Sequence, residues 1–154
     1  MRLRIATMAD ALTLFEWAND PETRRASGDR PVIEWLAHLA WFSGRLASPD
    51  AVIMIGDSTA GRPVGAIRFE TDDGWVTALL SYEVAPEARG RGFGRAVLIE
   101  GVAAFRARFR ATRIEATVVP GNARSRHLFE GLGWSTEPTE SGRVRFVDQA
   151  RSAP

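Results

Sequence analysis

Cysteine is absent from the 154 residues, and so is lysine: all 20 basic residues are arginine. Without cysteine there is no disulfide, no thiolate metal site and no thiol nucleophile. Without lysine there is no Schiff-base amine, and no phosphate loop whose grip depends on an ammonium. Histidine occurs only twice, too seldom for a His-rich metal centre. No apolar run approaches the ~20 residues of a membrane helix, and Met1-Arg2-Leu3-Arg4 opens without the apolar core of a signal peptide. The expectation is a cytoplasmic protein that engages no membrane. Charge is nearly balanced, 20 basic against 19 acidic residues for a net of +1, so nucleic-acid binding through a global field is not expected.

What remains is an ordinary globular composition, 45% hydrophobic and 25% charged. The length suits one domain, expected over residues 1–149, with a disordered tail at 150–154. Hydrophobic periodicity gives the elements. Leu3 to Ala6 reads as a strand. A helix follows to about Asn19, with Thr7 and Asp10 as caps and Leu12, Phe15 and Ala18 at helical spacing. Asp20-Pro21 breaks it, and Glu22 to Arg30 reads as a loop or a frayed helix. Pro31 opens a second helix to about Ala47, with Val32, Trp35, Leu36, Leu39, Phe42 and Leu46 as its core stripe. Its other face carries Glu34, His38, Trp41 and Arg45, a solvated face or one wall of a ligand cleft.

A three-strand meander comes next: Ala51 to Gly56, Pro63 to Glu70 and Trp75 to Val84, with a turn at Asp72-Asp73-Gly74. A helix runs from Gly92 to Phe109 on Val97, Leu98, Val102 and Phe105. A strand spans Thr112 to Val119, a short helix Ala123 to Gly131, and a last strand pair Gly133 to Thr136 and Arg143 to Val147. The order βααβββαβαββ predicts an α/β fold: a mixed sheet with helices on both faces.

The sharpest local feature is the turn from Val84 through Pro86 and Arg89-Gly90-Arg91-Gly92-Phe93-Gly94-Arg95. A strand ends, glycines follow, and a helix opens. The first amides of a helix lack intrahelical acceptors and sit at the positive end of its dipole, which suits a phosphate or pyrophosphate. Gly90, Gly92 and Gly94 would let the backbone approach phosphate oxygens, and Arg89, Arg91 and Arg95 would add fork-shaped donors. The glycine spacing is not that of a dinucleotide fold, and no acidic residue closes the next strand.

Arg89-x-x-Gly92-x-Gly94, preceded by Val84-x-Pro86, resembles the acetyl-CoA signature of the GNAT superfamily of N-acetyltransferases. About 30 residues on, Asn122-Ala123-Arg124-Ser125-Arg126-His127-Leu128-Phe129-Glu130-Gly131-Leu132-Gly133-Trp134 is similar to that family's second block. The resemblance implies a mostly antiparallel sheet splayed between strands four and five. The pantetheine arm of acetyl-CoA would lie in the splay beside Tyr82 to Val84. The pyrophosphate would rest on Arg89 to Gly94, and Asn122, Ser125 and Phe129 would line the coenzyme. The N-terminal half, with Arg24, His38 and Trp41, resembles a branch acting on amino-sugar nucleotides. There those three residues would bind the acceptor, a small-molecule amine.

With no cysteine, acetyl transfer would proceed by direct attack in a ternary complex. Amides near Tyr82 to Val84 would polarise the thioester carbonyl. Glu83 is the first candidate base, although strand alternation turns it away from the Val84 side; Tyr82 and His38 follow it. The family often places a tyrosine acid where this chain has Phe129, which leaves the group that protonates the thiolate unassigned. His127 is expected to be an exposed helix residue. Two rival readings stay open: a peptide or protein N-terminal acetyltransferase, and a non-catalytic acyl-CoA-binding module. The tryptophans leave room for a homodimer.

Overall fold

The computed structural model describes residues 1–111 and 113–149; Thr112 and the tail at 150–154, on which two expectations fall, lie outside them. Seven strands form one sheet in the order β1-β2-β3-β4-β5-β7-β6. The strands are β1 Arg2–Ile5, β2 Ala51–Asp57, β3 Pro63–Glu70, β4 Thr77–Val84, β5 Arg113–Val118, β6 Ser135–Pro138 and β7 Val144–Gln149. Every pairing is antiparallel except that of β4 with β5. The helices are α1 Ala11–Asn19, α2 Pro21–Ala26, α3 Trp35–Ala47, α4 Phe93–Arg108 and α5 Ala123–Gly131.

The expected mixed sheet with helices on both faces is present, with one helix more than the expected order. Asp20-Pro21 both stops α1 and starts α2. The Asp20 side chain accepts the Thr23 N–H at 3.0 Å, and Pro21 occupies the first turn, where its missing N–H costs nothing.

Two clusters fill the two faces. On one, Ile67, Phe69, Leu80, Val97, Leu98, Phe105, Ile114 and Phe129 pack beneath α4 and α5. The predicted α4 stripe is correct in Val97, Leu98 and Phe105. Gly65 allows the close fit there, since a Cβ on it would stand 2.8 Å from the Glu83 carbonyl oxygen and 2.9 Å from Val97 Cγ2. On the other face, Ala11, Leu14, Trp17, Phe42, Ile53, Ile55 and Ala66 join α1 and α3 to the sheet.

Here the predicted stripes are displaced. In α1 the buried residues are Ala11, Leu14 and Trp17, while Leu12 is exposed. In α3 they are His38 and Phe42, while Val32 and Leu36 stand 69% and 76% exposed. Polar residues are few in both helices, Thr13, Glu16 and Asn19 in α1 and His38, Ser43 and Arg45 in α3, so more than one apolar side is available and the sheet decides which is buried. α3 also begins at Trp35 rather than at Pro31. Arg4 ties β1 to the rest: it forks onto Asp10 at 2.7 and 2.8 Å and reaches Asp57 at 2.8 Å. That pairing holds the buried Asp10 carboxyl below its usual range.

Candidate active site

β4 and β5 pair only from Thr77↔Arg113 to Leu79↔Glu115 and then part, whereas β3 follows β4 to Val84. The strands therefore splay, and one edge of β4 from Leu80 onward is open. The Ala85 N–H donates to the Val64 carbonyl at 3.0 Å. By alternation the N–H groups of Tyr82 and Val84 point away from β3, into the split. A cleft of about 570 Å³ occupies it, bounded by β4, β5, α2, α3 and α5.

The turn after β4 follows directly on that open edge. Gly90 and Gly92 have φ of 72° and 82°, the left-handed region that favours glycine. Among the described residues no protein acceptor meets the N–H groups of Gly90 through Arg95; the first partnered amide is that of Ala96, at 3.2 Å from the Gly92 carbonyl. Consecutive free amides at a helix start form an anion cradle. The Arg91 and Arg95 side chains are exposed beside it, Arg91 resting 5.5 Å over the Phe93 ring, which itself packs on the core.

Of the predicted coenzyme contacts, the Arg89 side chain is engaged elsewhere. The Arg89 guanidinium turns away from the cradle and binds Asp20 at 2.6 Å, Thr23 at 2.8 Å and Glu22 at 3.2 Å, so its side chain fastens the turn to α2. Gly94 is not among the positive-φ glycines, and a Cβ on it would face Val84, Leu128 and Tyr82 in ordinary contact. Phe129 is 1% exposed and stacks on Phe146 at 5.1 Å, a core ring whose edge reaches the cleft floor.

Asn122 caps α5 through the Ser125 N–H at 3.1 Å and donates to the Ala26 carbonyl at 3.2 Å. Ser125 Oγ meets the Tyr82 hydroxyl at 2.9 Å, and Tyr82 stands edge-on to Phe129 at 5.9 Å. Burial pushes the Tyr82 phenol upward, against the opposing pull of the Ser125 hydrogen bond.

Glu83, the next residue, faces the opposite side with Ala66, toward α1–α3. It lines the cleft and makes no hydrogen bond or ion pair among the described residues. Desolvation raises its pKa to about 7, although Arg68, Arg24 and Arg89 pull it down. A half-buried carboxyl poised near neutrality beside a cleft is suited to proton transfer.

His38 is not a free acceptor contact. It is 3% exposed, its Nε2 bonds the Ala11 carbonyl at 2.9 Å, and Phe15, Trp35, Trp41 and Phe42 surround it. Burial lowers its pKa, so it is a neutral strut. Trp41 lines the cleft with one face covered by Arg68 at 5.0 Å. Arg24 lines it too, donating to the Pro31 carbonyl at 3.1 Å. His127 is exposed and bonded to the Ala123 carbonyl at 2.7 Å. Arg30, Arg68 and Arg143 also reach the cleft, and the sequence reading passed over them because they lie far apart in the chain and in no motif.

Splayed strands beside an amide cradle are the framework of a coenzyme A acyltransferase. The chain belongs to the acetyltransferase (GNAT) family, whose model matches residues 11–134, and it is an acetyl-CoA-dependent enzyme. No curated protein sequence matches the chain. Solved structures share its fold at low identity. The spermidine N-acetyltransferase of Vibrio cholerae, bound to CoA and spermine, superposes with a TM-score of 0.85 at 16% identity, covering 96% of this chain and 94% of that one. A ribosomal-protein-alanine N-acetyltransferase from Brucella melitensis gives 0.80 at 23%, covering 97% and 100%. The aminoglycoside acetyltransferase AAC(6')-Ib with coenzyme A gives 0.78 at 22%, covering 96% and 93%. No helix among the described residues is long and apolar enough to cross a membrane.

Proposed function

We propose that this enzyme is an N-acetyltransferase whose base is Glu83 and whose acid is Tyr82, acting from opposite faces of β4. The single observation that carries this reading is the Glu83 carboxyl, which lines the cleft with no hydrogen bond or ion pair among the described residues. The free amides of Gly90 to Arg95, with Arg91 and Arg95, fit the coenzyme's pyrophosphate. Asn122, Ser125 and the edge of Phe129 border the cleft beside its arm.

When bound, acetyl-CoA supplies a thioester whose acyl C–S bond breaks as the acceptor's C–N bond forms. The amides of Tyr82 and Val84, pointing into the split, are placed to polarise its carbonyl. Glu83 takes the proton that the amine nitrogen must shed. Tyr82, whose hydroxyl is held by Ser125, gives a proton to the departing sulphur, a task closed to Phe129. Exchange with solvent returns both groups to their starting states. Arg24 and Trp41 wall the acceptor side, and an amino sugar or sugar nucleotide is the acceptor we favour, stacked on Trp41. The body of the enzyme would be one domain over residues 1–149.

Release of CoA thiol, followed against amino-sugar nucleotides, free amino sugars and N-terminal peptides, tests this reading. Turnover of the sugars is expected, with kcat/KM rising with pH and levelling above about 7. The rising limb reflects Glu83 losing its proton in the field of Arg24, Arg68 and Arg89; His38 borders the same cleft, with its pKa lowered by burial and its Nε2 held by the Ala11 carbonyl. Turnover of peptides alone would overturn the sugar assignment. A flat profile across that range would remove Glu83 as base.

A further inference from the structure

We infer that the acceptor is an amine carrying an oxyanion, a phosphate or a carboxylate, held by a cluster of arginines that line the cleft. The inference rests on the acetyltransferase reading above and names its substrate class. Four arginines line the cleft among the described residues, Arg24, Arg30, Arg68 and Arg143, against one carboxylate, Glu83. The whole chain has a net charge of only +1, so this concentration of positive charge is local.

These arginines are weakly compensated. Arg24 Nε is buried with no hydrogen-bond partner, and its one bond goes to a backbone carbonyl. Arg30 stands close enough to disfavour the charge on Arg24. Among the described residues neither Arg30 nor Arg143 has a side-chain ion pair, and Arg68 shares Glu70 with Arg45. Guanidinium groups crowded together and short of acceptors gain from an anion that meets several of them, since each fork suits paired oxygens. Arg91 and Arg95, beside the cradle, do not line the cleft, so the four arginines are a separate set from those at the cradle. A polycationic amine would meet the same charges as repulsion.

The test uses the intact enzyme and matched amines. Glucosamine is compared with glucosamine 6-phosphate, butylamine with 4-aminobutanoate, and spermidine serves as the polycation. In at least one pair, kcat/KM for the anionic member is expected to exceed that of its parent ten-fold or more, with the advantage shrinking as salt is raised. Arg24→Gln and, separately, the exposed Arg30→Gln should cut that advantage at least three-fold while KM for acetyl-CoA stays unchanged. No advantage in either pair, or a preference for spermidine, overturns the proposal. If no amine turns over, the enzymatic reading fails by itself, and the anion site is read by calorimetry on CoA-saturated protein. Binding of glucosamine 6-phosphate that weakens in both variants upholds the site. Absent binding, or binding that neither variant changes, overturns it.

Discussion

The two parts of the proposed site are built by different means. The proposed coenzyme seat comes from contiguous sequence: β4 runs into the turn at Gly90 to Gly92, and α4 opens with its amides unpaired among the described residues. It is made of backbone, so it is local. The proposed acceptor wall is assembled from side chains far apart in the chain: Arg24 on α2, Trp41 on α3, Arg68 on β3, Glu83 on β4 and Arg143 before β7. A wall made of amides is indifferent to most side-chain changes nearby, whereas a wall made of side chains can change its ligand one residue at a time. β4 belongs to both, with Tyr82 facing α5 and Glu83 facing α1–α3.

Substitutions should divide along the same line. The largest effect is expected from Glu83→Gln, which removes the base: kcat should fall by about 100-fold or more, with KM for acetyl-CoA unchanged and the pH limb near 7 gone. A large rise in that KM would show that the two walls are not separable. Next comes Arg91→Glu, which sets a carboxylate beside the cradle. CoA affinity, read by calorimetry, should drop more than about ten-fold, and unchanged affinity would count against the phosphate assignment.

Tyr82→Phe keeps the ring against Phe129 and deletes the proton, so kcat should fall by about ten-fold. An acetyl thioester of a more acidic thiol, which leaves without help, should recover most of that loss. A loss that persists with the better leaving group would make Tyr82 structural.

The smallest effect is thermodynamic. Burial raises the folded pKa of Glu83 to about 7, above the ~4.3 of an unfolded chain. The folded state therefore holds that proton over the window between, and stability declines as pH rises through it. Glu83→Gln should stabilise the protein by about 1–3 kcal/mol at pH 8 and by nothing at pH 4, as measured by denaturant unfolding. Equal stability at both values would mean that the cleft leaves this carboxyl well hydrated.

Strand and helix order was legible in the chain because turns and breaks carry their own chemistry. Asp20-Pro21, Gly90-x-Gly92 and Asn122 each mark a boundary through a cap or a special backbone angle. The α4 stripe was legible because polar residues such as Glu100 and Arg106 flank it. In α1 and α3 apolar residues such as Leu12 and Leu36 lie outside the buried side as well as on it, so the sequence offered the sheet more than one apolar side. The same ambiguity placed His38 on a ligand face when it belongs to the packing. Arg89 was read as a phosphate donor because its motif suggests one; its acidic partners, Asp20 and Glu22, lie 69 and 67 residues away.

By itself the sequence determined the turn proposed to seat the coenzyme, since backbone conformation follows from glycine, proline and caps within a few neighbouring residues. Only the tertiary structure decided the chemistry of the cleft. Whether Glu83 sits near neutrality, and whether four arginines meet in one cleft, depends on desolvation and on charges brought together from distant parts of the chain, quantities that no local stretch of sequence contains.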